Sequence, residues 1–91
     1  MNAQNDFIDL SDVSLVAFLH AIRIRPLHHQ ILDGHVHWTY SNSLELQEAK
    51  RKFYNGEAQV DAQDMADHLR RTKLLVRDLQ KEARQKGGKS E

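Results

Sequence analysis

The chain has 91 residues, of which 40% are hydrophobic and 29% charged; thirteen basic residues balance thirteen acidic ones, and there is no cysteine. A chain this short holds one domain with one modest core, and without cysteine it has neither a disulfide framework nor thiolate metal ligands. No apolar run approaches the roughly 18 residues of a membrane span, and the N-terminal Asp6, Asp9 and Asp12 lack the leading basic cluster of a signal peptide, so the expected location is cytoplasmic, without membrane contact.

Residues 1–10 read as a flexible N-terminus or a short extended segment, in which Phe7, Ile8 and Leu10 tuck into the core or add to a sheet edge. Residues 11–84 form the expected single domain. Its first helix is capped by Ser11 or Asp12 and carries Leu15, Val16, Phe18, Leu19 and Ile22. Only Ser14 and His20 interrupt the run from Val13 to Ile22, which predicts burial over more than half of the helix circumference. Arg23 to Pro26 ends it, because the residue before a proline is pushed out of helical geometry.

Leu27 to Tyr40 reads as a β-hairpin around Asp33-Gly34, a dipeptide favoured in two-residue type I′ turns because both positions need positive φ. That turn sets Leu32 opposite His35, Ile31 opposite Val36, Gln30 opposite His37 and His29 opposite Trp38. Alternation then puts Leu27, His29, Ile31, Val36, Trp38 and Tyr40 on a core face, and His28, Gln30, Leu32, His35, His37 and Thr39 on the other. A second helix follows from about Ser43 to Tyr54, with Asn42 and Glu45 placed as in a capping box and Leu46, Ala49 and Phe53 inward. Asn55-Gly56 stops it, and the short link after it predicts that the last two helices are neighbours.

The long final helix is expected from Val60 to about Arg84, with Asp61 and Asp64 in its first turn. Ala62, Met65, Leu69, Thr72, Val76, Leu79 and Ala83 form a seam at helical spacing. Gly87-Gly88 marks its stop, and residues 85–91 read as a disordered basic tail. The fold class is therefore α+β: helix, β-hairpin, helix, long helix, with a two-stranded antiparallel sheet packed on helices.

With these elements in place, the order helix, Pro26-Leu27, strand pair, helix start at Leu46, then Phe53-Tyr54-Asn55-Gly56 through Val60-Asp61 resembles a family of small bacterial and phage-borne domains of unknown function. Leu15, Ala17, Leu19, Leu69 and Lys73 also match. The resemblance spans roughly residues 11–76, implies the α+β order and a mobile-element origin, and brings no reaction, cofactor or site residue. The histidine-rich hairpin and the length of the helix beyond Lys73 depart from the family pattern.

Charge is unevenly spread: residues 1–67 sum to −5 and residues 68–91 to +5. Much of this is acids at a helix start and bases at its end, which complement the macrodipole. Arg70, Lys73, Arg77 and Lys81 still form a stripe that is able to lie along phosphates, so a nucleic-acid-binding accessory protein is the competing function. His35 and His37 share a strand face with His28 diagonally across, a spacing from which three imidazoles are able to hold zinc; this makes a metal site the third reading. His29 is expected beside Trp38 on the core face, either buried and hydrogen-bonded or at the core margin, and His20 and His68 stand isolated on helices.

No residue pattern supplies a nucleophile or an acid–base pair, and no cofactor or small-molecule substrate is expected. The favoured function is a non-enzymatic protein-interaction module that binds another protein or itself as a homodimer. Its binding surfaces are the outer hairpin face, through His28, Gln30, His35 and His37, and the distal part of the long helix, through Val76, Leu79 and Ala83.

Overall fold

The computed structural model describes residues 6–88, with side chains described through residue 84. The elements in order are β1 (Phe7–Leu10), α1 (Val13–Ala21), β2 (His28–Leu32), β3 (His35–Ser41), α2 (Leu44–Tyr54) and α3 (Ala62–Gly88). The sheet has three strands, not the expected two, in the antiparallel order β1-β3-β2. Of the two readings of residues 1–10, the short extended segment that adds to a sheet edge is the one found, at Phe7–Leu10, and the element order begins with β, not α. Its pairing runs from Phe7 opposite Ser41 to Leu10 opposite Trp38. The reason is burial: Ile8 and Leu10 extend the apolar face that Trp38 and Tyr40 already present, which a two-stranded sheet would leave uncovered.

The hairpin register is the one the turn dictates, with Leu32 opposite His35 through to His28 opposite Thr39. Asp33 and Gly34 both take positive φ, 53° and 80°, as a type I′ turn requires. All three helices lie on one side of the sheet, where Leu10, Val36, Trp38 and Tyr40 meet the buried side chains of α1 and Leu46 of α2.

The most buried element is α1. Leu15, Val16, Ala17, Phe18 and Leu19 are consecutive and at most 4% exposed, so the helix is apolar around its whole circumference. Asp12 caps it by accepting from the Ser14 and Leu15 N–H groups. It packs along α3 on one side and touches α2 on the other, whereas α3 does not pack along α2. The expected adjacency of the last two helices is thus replaced by α1 lying between them, and Ala58 and Val60 in the link pack on the core as the chain crosses.

Two helices end in the same hydrogen-bond pattern with different residues. After α2 the Glu57 N–H donates to the Lys52 carbonyl and the Gly56 N–H to that of Phe53, with Gly56 at φ 74°. After α1 the Ile24 N–H donates to Leu19 and the Arg23 N–H to His20, a Schellman end with Arg23, at φ 70°, where glycine is usual. The side chain that caps α2 is Ser43, which accepts from the Leu46 N–H at 3.0 Å; Asn42, the expected cap, instead accepts from Gln47 Nε2. α3 is capped by Asp61, which accepts from the Asp64 N–H. It runs unbroken past Thr72, whose hydroxyl donates to the His68 carbonyl, and continues beyond the expected Arg84 to Gly88. Residues 1–5 and 89–91 of the expected termini lie outside the described residues.

Candidate functional site

The sheet face turned away from the helices is bare. His28, Gln30, Leu32 and His35 are exposed and His37 is half-buried, as their register on the outer face requires. The new strand adds Phe7, 57% exposed, and Asp9 to this face. Asp9 lies opposite Thr39 and accepts a 2.6 Å hydrogen bond from its hydroxyl, a cross-strand pair in the middle of the surface.

The three imidazoles proposed as a zinc site are not gathered into one. His28 lies opposite Thr39 and His37 opposite Gln30, so a full rung separates them. Among the described residues no group of three His, Asp or Glu side chains is placed to hold a metal ion. His29 faces the core side by register, yet it is exposed, as is Leu27. The helices do not reach the start of β2, so burial beside Trp38, the first of the two expectations, does not occur.

The proximal seam of α3 faces inward, with Thr72 buried and Met65, His68 and Leu69 half-buried. The distal seam also meets its own chain. Val76 and Leu79 pack against the core, Ala83 is half-buried beside Ile31 and Gly34, and Gln80 Nε2 donates to the Gly34 carbonyl at 2.7 Å. The hairpin tip therefore covers much of the surface that was expected to require a second copy. The exposed leucines of α3 are Leu74 and Leu75, both off the seam. Arg70, Lys73, Arg77 and Lys81 are exposed on the solvent side. Arg70 pairs with Asp67 at 2.8 Å, and the other three have no ion pair among the described residues.

Sequence reasoning missed two further side-chain contacts besides Asp9–Thr39 and Gln80–Gly34. His20 and His68 are not isolated: their rings meet edge to face at 6.4 Å across the α1–α3 contact. Nε2 of His20 is buried without a hydrogen-bond partner among the described residues, and burial, then the charge of Arg25 and of His68, lowers its pKa below 6.5. Tyr54 is the second. Its hydroxyl donates to Asp12 Oδ2 at 2.8 Å, tying the end of α2 to the start of α1, and burial followed by the Asp12 carboxylate pushes its pKa up to about 12. Both contacts join residues far apart in the chain, and local spacing carries no trace of them.

Two open grooves flank α2. One, of about 590 Å³, has a floor of Phe18, Ile22 and Ala49 with Glu45, Glu48 and Glu57 around it. The other, of about 400 Å³, lies between α2 and β1. No helix among the described residues is long and apolar enough to cross a membrane. Comparison of the chain with family models, curated proteins and solved structures finds no match.

Proposed function

We propose that this chain is a non-enzymatic module that binds another protein. What supports the reading is the one-sidedness of the sheet: three helices crowd one face, and the other is left to solvent with Phe7, 57% exposed, and Leu32, 44% exposed, among its histidines and Gln30. Imidazoles, an amide and scattered apolar groups, with no lysine or arginine among them, suit a partner surface better than a phosphate backbone. A homodimer through α3 has less support, because the hairpin tip already occupies much of the distal seam.

The competing reading, nucleic-acid binding, draws on Lys73, Arg77 and Lys81, which have no ion pair among the described residues. Co-purification from native cells, with nuclease treatment and a salt series, separates the two. The expected result is a protein partner retained at high salt, lost on the outer-face double substitution Gln30→Glu/His37→Glu, and unaffected by Lys73→Glu/Arg77→Glu. Binding that survives the first pair and is abolished by the second, by nuclease and by salt would move the function to nucleic acid.

A further inference from the structure

The outer edge of β1 and the helix beside it form a built groove. The Asn42 N–H donates to the Asp6 carbonyl at 2.9 Å. This bond sets the phase of the strand: Asp6, Ile8 and Leu10 turn their backbone groups toward β3, and Phe7 and Asp9 turn theirs outward. No other strand among the described residues pairs with that edge.

α2 runs beside the edge in the direction of β1. It starts just after the end of β3 that pairs with Phe7, and at its far end Tyr54 reaches Asp12, two residues past β1. Between strand and helix, Ile8 and Tyr54 supply apolar surface over the buried Leu46, and Lys50 and Arg51 stand on the rim with no carboxylate among the lining residues. Asp12, near the Tyr54 end, is already engaged with the Ser14 and Leu15 N–H groups and the Tyr54 hydroxyl. Arg51 is held by Glu48 and Glu57, which leaves Lys50 as the cation with no ion pair among the described residues.

We infer that this groove takes an extended acidic segment of a partner protein, added to the sheet as a further strand along β1. The outward N–H and C=O groups of Phe7 and Asp9 hold the guest backbone. Alternate guest side chains point into the groove; an apolar one covers Ile8 and the ring of Tyr54, and a carboxylate pairs with Lys50. The inference rests on the protein-binding reading and names the partner's chemistry.

A random-peptide display selection on the folded full-length chain tests it, with fluorescence anisotropy on the enriched peptides. The expected peptides carry an apolar residue beside Asp or Glu. Their binding weakens about tenfold or more on Lys50→Glu, the loss of one charge-assisted contact. It is also lost when alternate peptide amides are N-methylated, it shifts the amide resonances of Phe7 and Asp9, and it is unchanged by Arg71→Glu, an exposed charge on α3 away from the groove. Circular dichroism checks that Lys50→Glu folds; should it not, the N-methylated peptides carry the test. No enrichment, or peptides that ignore both Lys50→Glu and N-methylation, overturns the groove. Peptides lost on His37→Glu alone overturn it too, while leaving protein binding through the outer face intact.

Discussion

β1 and β2 border the same central strand, yet the chain secures them in different ways. β2 is joined to β3 by a two-residue turn and is braced at that turn by Gln80 of α3, while its start, with Leu27 and His29, lies beyond the helices. β1 reaches β3 from about thirty residues away, as the Asp9–Thr39 bond shows, and is clamped past its end by Asp12 and Tyr54. A local turn makes β2 inexpensive in loop entropy and so tolerant of weak packing. A distant strand has to earn its place through side chains: Leu10 is 7% exposed, whereas Ile31 is only half-buried.

The largest expected effect breaks this asymmetry directly. Leu10→Ala is expected to cost about 2–4 kcal/mol and Ile31→Ala about 1–2 kcal/mol, measured by urea unfolding. Hydrogen exchange in the Leu10 variant would show β1 released while the hairpin stays protected. Equal losses at the two positions would mean that the edges are held alike.

A smaller effect comes from the clamp. Asp12→Ala removes the α1 cap and the Tyr54 partner together and is expected to cost about 1–2 kcal/mol. Ultraviolet titration of the phenol sharpens the point: the Tyr54 transition near pH 12 should move part of the way toward 10.0, since burial is the larger cause of its shift and remains. An unmoved transition would show that the hydroxyl is not bound to Asp12 in solution.

The smallest effect concerns the α1–α3 contact on the other flank. The folded pKa of His20 is lowered from 6.5, so the unfolded chain takes up the proton first. Its contribution to stability is full above about pH 6.5 and is lost as pH falls through the folded value. His20→Gln should flatten the pH dependence of the urea midpoint over that range relative to wild type. Identical slopes would mean that His20 is solvated in the folded chain.

Where the sequence was legible, a short-range rule governed it. Asp33-Gly34 specified the turn and hence every rung of the hairpin; Asp12, Asp61 and Asn55-Gly56 marked helix ends through bonds spanning a few residues. Of the expected surface, the outer hairpin residues followed from the same register. The rest depended on distance in space. Nothing local says that Phe7–Leu10 joins β3, that Tyr54 meets Asp12, that His20 meets His68, or that the hairpin tip lies under the end of α3. Pro26 marked where α1 stops, but not the Schellman geometry of its end, because the left-handed residue there is Arg23 and not the usual glycine.

By itself, then, the order of residues determined the periodic faces, the helix caps and the pairing of neighbouring strands, since these depend on side-chain direction over a few bonds. Only the folded chain decided which apolar faces would meet. That choice set α1 between α2 and α3, made β1 an edge of the sheet opposite β2, and opened the groove beside it, because burying the common apolar surface of Ile8, Leu10, Trp38, Tyr40 and Leu46 is a property of all those elements at once.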